Sequence, residues 1–177
     1  MTGRSDDDGI TLVELLVYVF ISALVLGSLA LMFANGLRAQ TQATDRDSAT
    51  GAGNVVSNSL LTSIRNASDF TVVGGRGLIA KVATGGTGWE CRAWSVGDGE
   101  LRYRAADTAL STVDTSGWGV IASGVTGTLA GGAAFAPTGD RALSIGLKVV
   151  SGESTIQFSN GVTAQAVSDG TDTTPCW

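Results

Sequence analysis

Few side chains in this chain are placed to do chemistry, and Glu14 is the one that demands an explanation. It is the only charged residue in an apolar run from Ile10 to Ala34. An acidic group in hydrocarbon costs about 2.5–3.5 kcal/mol or more at a helix centre. Such a carboxylate needs a cation to meet it or a position close to the headgroups. The other reactive candidates are weaker. Ala93-Trp94-Ser95-Val96-Gly97 and Ala142-Leu143-Ser144-Ile145-Gly146 approximate a nucleophile elbow, but the chain contains no His. A Ser-His triad, a Cys-His pair and every His-ligated metal site are therefore excluded. Only Lys81 or Lys148 could serve a Ser-Lys dyad, and chance in a Ser- and Gly-rich chain is the simpler source of both pentapeptides. Gly-rich stretches at 74–77, 85–88 and 131–132 lack the Gly-Lys-Ser/Thr of a phosphate loop and read as turns. Asp169 and Asp172 are too sparse for a Ca²⁺ loop. No cofactor, metal or catalytic set is expected, and the chain does not read as an enzyme.

Arg102 and Arg104, with Arg92 near them in sequence, could form a small basic patch. The net charge of −5 argues against a nucleic-acid surface. Cys91 and Cys176 are the only cysteines. In a domain outside the membrane they would pair, closing a loop worth on the order of 4 kcal/mol in the chain-entropy model. The other reading is two separate buried thiols. Asn66-Ala67-Ser68 fits an N-glycosylation sequon, but reads better as the end of a helix.

The element that must position Glu14 is the apolar run itself. Its twenty-five residues would make a helix about 37 Å long, enough to cross about 30 Å of hydrocarbon. The run exceeds the 7–15 residues of a secretory h-region. A plain single-span anchor accommodates its length but offers Glu14 only a place at the headgroups. The junction Gly9-Ile10-Thr11-Leu12-Val13-Glu14-Leu15-Leu16-Val17 resembles the class III signal of type IV prepilins and pseudopilins. The resemblance covers residues 1 to about 66. It implies cleavage between Gly9 and Ile10 by a prepilin peptidase, and N-methylation of Ile10. Glu14 then stands fifth from the new terminus, where the family uses a Glu in assembly. The amine released on Ile10 of a neighbouring subunit would be the partner of Glu14. Small residues Ser22, Ala23, Gly27, Ser28 and Ala30 would let helices approach closely.

Three features depart from the family pattern. Ile10 replaces the commoner Phe. The leader carries Asp6, Asp7 and Asp8 beside Arg4, so charge asymmetry does not set the topology. No Pro precedes Pro137, so the helix has no Pro kink. Removal of residues 1–9 would leave a net charge of about −3. The implied topology puts the β domain outside the cytoplasmic membrane, and on the cell surface or filament once assembled. Ile10 and the missing helix Pro lean towards a minor subunit. Implied partners are the prepilin peptidase, other pilin or pseudopilin subunits and the membrane, with nucleic acid met only through an assembled machine. The alternative is a plain single-span membrane-anchored binding module.

Four regions follow: a leader over 1–9, a transmembrane and assembly helix over 10–34, an amphipathic continuation over 35–66 and a β-rich domain over 67–177. Val56, Leu60 and Ile64 form an i, i+4, i+8 stripe that predicts packing on a sheet. Gly51 and Gly53 predict a loosened or curved stretch near 48–54, since each costs about 1 kcal/mol relative to Ala. Strands are expected at 70–73, 78–83, 119–122, 127–129, 143–150, 154–158 and 162–167, with an irregular tail from 168 to 174. The firmest element is the hairpin over 89–106 with Asp98-Gly99 at its turn. Its register would place Trp94, Val96, Leu101 and Tyr103 on the core face, and Cys91 on the other face, where the tail could dock. The fold class is α+β, a long N-terminal helix packed on an antiparallel β-sheet in the manner of a type IV pilin.

Overall fold

The computed structural model describes residues 11–86, 88–168 and 175–177. One helix, α1, spans Leu12–Arg65. Two compact units divide within it, one reaching Thr41 and the other starting at Gln42. In the first unit every described residue is solvent-exposed. In the second, the helix buries Ala49, Gly53, Val56, Leu60, Ser63 and Ile64 against the β domain. The predicted stripe is thus the packed face.

The expected loosening at 48–54 does not occur: α1 is continuous through both glycines. Gly53 packs close to Ile156 and Phe158, with room for a Cβ at 4.0 Å from each. Tertiary burial overrides the propensity cost there, as it generally does for helices in proteins. The helix end is also tied by polar contacts. Arg92 donates to Ser63 Oγ at 3.0 Å, Asn160 donates to Ser57 Oγ at 3.4 Å, and the Gln165 N–H caps the Arg65 carbonyl at 3.0 Å.

Among the described residues nine strands follow the helix, in two antiparallel sheets. The first has the order β1-β2-β3-β4-β5. It consists of β1 (Ala67–Val73), β2 (Gly77–Ala83), β3 (Trp89–Gly97), β4 (Glu100–Ala106) and β5 (Gly119–Ser123). The second is built on β8 (Ala142–Ser151). Along one side of β8 lie β6 (Val125–Gly127) and β7 (Phe135–Pro137), and along the other lies β9 (Ser154–Thr163). Gly124, at φ +70°, joins the sheets between β5 and β6. A Cβ there would meet the Val150 carbonyl oxygen, so the crossing needs glycine both for its dihedral and for the close approach.

The 89–106 hairpin has the predicted register: Val96 faces Leu101, Trp94 faces Tyr103, and Ala93 faces Arg104. Asp98 and Gly99 take φ +52° and +75°, the pair of positive values a type I′ turn requires. Alternation in β8 also holds, with Leu143, Ile145, Leu147 and Val149 all buried. Three expectations change. The strand expected at 127–129 is β6, two residues earlier. The two strands expected at 154–158 and 162–167 are one strand, β9, because the whole of β8 is available to pair with it. β7 was not anticipated; Pro137 ends it at a sheet margin, where a missing donor costs little. Of the tail expected to be irregular, residues 169–174, including Asp169 and Asp172, lie outside the described residues.

The helix stripe and the inner faces of both sheets share one core, with Leu60, Trp94, Leu101, Phe135, Ile145 and Leu147 among its members. Leu60→Ala should therefore cost about 2–5 kcal/mol of β-domain stability by loss of buried area and cavity formation. Val55→Ala, at an exposed neighbouring position, should stay within about 0.5 kcal/mol. Denaturant unfolding of the two variants in detergent micelles, followed by tryptophan fluorescence, measures both.

Candidate functional site

The start of α1 is built locally. Thr11 precedes the helix, and its Oγ1 accepts the Glu14 N–H at 3.2 Å while its carbonyl accepts the Leu15 N–H at 3.1 Å. Thr11-Leu12-Val13-Glu14 is thus half of a capping box, with the hydroxyl satisfying a donor that the helix leaves free. The Glu14 side chain does not fold back to the cap. Its Oε1 accepts from the Tyr18 hydroxyl at 3.4 Å, one turn further on. Two stabilising groups for Glu14 therefore come from its own helix: the Tyr18 hydroxyl, and the partial positive charge of the helix amino terminus. Neither Thr11 nor Tyr18 was singled out from the sequence. The Thr-x-x-Glu pattern and the i, i+4 spacing of Glu14 and Tyr18 were the signals that could have found them.

From Leu15 to Ala34 the helix carries no charge and is predominantly apolar on every side. Leu12, Tyr18, Phe20, Leu26 and Met32 are each more than half exposed, and the segment is long and apolar enough to cross a membrane. Its backbone polar groups are paired within the helix, the condition for stability in lipid. Ser28 adds its own hydroxyl to that ladder, donating to the Val25 carbonyl at 2.8 Å. Ser22, Ala23, Gly27, Ser28 and Ala30 all lie in this stretch, and a Cβ at Gly27 would meet nothing within 4 Å. Gly9 and Ile10, the residues of the expected cleavage, lie outside the described residues.

Cys91 and Cys176 form a disulfide with a Cα–Cα separation of 5.3 Å, closing 85 residues of sequence. The bond sits on the face of β3 that the hairpin register assigns to it. There Ile79, Cys91, Ala93, Trp118 and Cys176 make a second, smaller core, with Leu110 packed beside it. The Leu110 N–H donates to the Cys176 carbonyl at 2.9 Å.

The weaker candidates separate. Ser95 lies mid-strand in β3, opposite Arg102 and Gly77, and Ser144 lies mid-strand in β8, opposite Gly161 and Ala136. Neither occupies a strand-to-helix turn, the geometry that exposes an elbow nucleophile. Lys81 stands 5.8 Å from the Trp89 ring centroid. The arginines do not form one patch. Arg92 pairs with Glu90 at 2.8 Å and reaches the helix, whereas Arg102, on the other face, pairs with Glu100 at 2.9 Å. Strand alternation separates Arg92 from Arg102 and Arg104, and two of the three charges are offset by carboxylates.

Among the described residues outside the span, ionisation is displaced at Tyr103 and Asp114. Burial raises the Tyr103 pKa, with nearby Glu90 adding to the effect and Arg92 opposing it. Hydrogen bonds from Ser116 lower that of Asp114.

A long amino-terminal apolar helix, packed at its distal end on antiparallel sheets and accompanied by a disulfide at the carboxy terminus, is a pilin-like architecture. Comparison with family models, with curated proteins and with solved structures finds no match for the chain. The apolar helix suggests membrane anchoring, and the disulfide suggests an extracytoplasmic domain, since such bonds persist in oxidising compartments.

Removing the disulfide should weaken the domain without abolishing its core. The Cys91→Ser, Cys176→Ser double variant should lose on the order of 4 kcal/mol. It should also lose amide protection at Leu110, measured by hydrogen exchange. Unchanged protection there would show that the tail is anchored by other contacts.

Proposed function

We propose that this chain is a structural subunit of pilin or pseudopilin type, with a minor component the better fit, serving a type IV pilus-like or type II secretion filament. A prepilin peptidase would cut between Gly9 and Ile10 and methylate the new amine. The exposed helix would then pack with the helices of neighbouring subunits. Glu14 would meet the Ile10 amine of the next subunit, and the β domain would face away from the membrane. The role is architectural, with no cofactor and no catalysis by this chain, and any nucleic acid would be handled by the assembled machine.

The observation that carries this reading is the exposed, uniformly apolar first half of α1 with one carboxylate in its first turn. Such an exposed apolar surface is suited to lipid or to other helices. The Tyr18 contact leaves Glu14 exposed, so its second oxygen is open to an incoming cation. Small residues along the same segment fit close helix packing.

A plain membrane-anchored binding module is the second reading, favoured by the Thr11 cap. A Glu in the first turn of a capped helix is stabilised by the helix dipole, at about 0.3–1 kcal/mol, without any partner. Mass spectrometry of the mature amino terminus separates the two. N-methylated Ile10 is expected; a chain that retains Met1, or begins after Ala34, would sink the pilin reading. Glu14→Ala should leave the precursor inserted and cleaved but reduce recovery of the protein in sheared filaments by about tenfold or more, as loss of a buried charge pair implies. Normal incorporation of that variant would contradict the role given to the carboxylate.

A further inference from the structure

The margins of the two sheets are not equally protected. β1 carries an irregular register at Ala67/Asp69 and a charged residue, Asp69. β5 has only five residues and a register shift opposite Leu101/Arg102. β6 and β7 have three residues each. Short strands, bulges and charges are the usual means of blunting a sheet edge. β9 has none of them. It runs ten residues, Ser-Thr-Ile-Gln-Phe-Ser-Asn-Gly-Val-Thr, with no charge and no Pro. It pairs without interruption to β8 on one side, and among the described strands it has no partner on the other.

The turn fixes which backbone groups are free. Ser151 and Ser154 close the two-residue turn Gly152-Glu153, with Gly152 at φ +54°. In such a hairpin the closing pair exchanges both hydrogen bonds, and bonded pairs then alternate. Ser154, Ile156, Phe158, Asn160 and Val162 direct their backbone groups at β8. Thr155, Gln157, Ser159 and Gly161 direct theirs outward, and all four residues are exposed.

A cleft of about 120 Å³ lies beside this edge, lined by Thr50, Gly53, Asn54, Ser57, Ile156 and Phe158. It is the gap between α1 and the helix-facing side of β9, and Gly53 keeps it open. A strand added at the edge would turn alternate side chains towards the same side, and the cleft has the size of one aliphatic side chain. At the turn end of β9 lie two carboxylates, Glu153 and Asp45, the latter accepting the Glu153 N–H at 3.4 Å.

We propose that the free edge of β9 and the cleft beside it dock an extended segment of another protein chain as an added strand. The segment places an aliphatic side chain over Gly53 and a cationic residue near Asp45 and Glu153. The row of outward backbone groups specifies an extended partner, the cleft specifies an aliphatic residue at one position, and the carboxylates specify the charge at one end. The site is independent of the assembly helix and does not rest on the filament reading.

The test uses the full chain in detergent micelles and a fluorescein-labelled peptide of ten residues, matching β9 in length, alternating Val and Thr with Lys at both ends. Saturable anisotropy binding is expected, with new hydrogen-exchange protection at Thr155, Gln157, Ser159 and Gly161. The same peptide with Glu at both ends should bind more weakly. Gln157→Pro removes an outward donor but no bond to β8, and Gly53→Leu fills the cleft. Each should weaken binding by about tenfold or more, equivalent to one good contact. A peptide N-methylated at alternate amides tests the ladder without altering the protein, and it should lose binding to the same degree. Absence of saturable binding, equal binding of the methylated peptide, or protection confined to residues outside β9 would overturn the proposal.

Discussion

Val56, Leu60 and Ile64 are fully buried along one face of α1, and the β domain is organised around that stripe. A two-stranded hairpin or a single small sheet has too little apolar surface to be stable alone. Here two sheets and one helix share a core, so each supplies the surface the others must cover. The strongest consequence is the persistence of helix through Gly51 and Gly53. Intrinsic propensity is a matter of about 1 kcal/mol per glycine, whereas burying one Val or Leu side chain contributes about 1.5–3 kcal/mol. The packed stripe outweighs the glycines. It also converts Gly53 from a weak point into a position of close approach to Ile156 and Phe158.

The first half of the same helix obeys a different rule. Its apolar side chains meet no other part of the unit they belong to, and 0% of its most apolar window is buried. It therefore needs a solvent other than water. Within that half, the polar atoms are handled locally: Thr11 caps the helix, Ser28 bonds back to the preceding turn and Tyr18 donates to Glu14. Such economy is what lipid or a helical bundle demands, because an unpaired polar group there costs several kcal/mol. Glu14 retains its charge-bearing oxygens at the surface of the segment, which is where a partner's cation could reach them.

The two faces of the five-stranded sheet are stabilised by different means. Its inner face joins the shared core. Its outer face carries a patch of only a few side chains, too small to fix the carboxy-terminal end by burial alone. The Cys91–Cys176 bond supplies a covalent anchor at that place. Arg141 holds the segment just after β9 through the Ala164 and Ala166 carbonyls. The long strand β9 is thereby fixed at its end, while its outward edge stays open.

Local rules were enough for much of this architecture. The extent of α1 follows from an apolar run and a 3.6-residue stripe. The hairpin register follows from Asp98-Gly99, because a two-residue turn permits only one pairing that puts Trp94, Val96, Leu101 and Tyr103 together. The side of β3 that bears Cys91 follows from the same register, which is why docking of Cys176 could be anticipated. Glu14 stood out because a charge in an apolar run is costly wherever it occurs. What the chain order could not reveal depends on contacts between distant residues. The division into two sheets rests on Gly124 approaching Val150. The unity of β9 rests on the full length of β8, which carries an Asn-Gly pair through what would otherwise read as a turn. Periodicity and turn chemistry are encoded within a few neighbouring residues, and so can be read along the chain. Sheet partnership and the offsetting of glycine's cost are decided by surfaces that separate elements bring together, as where Gly53 meets Ile156 and Phe158, and only the folded chain specifies them.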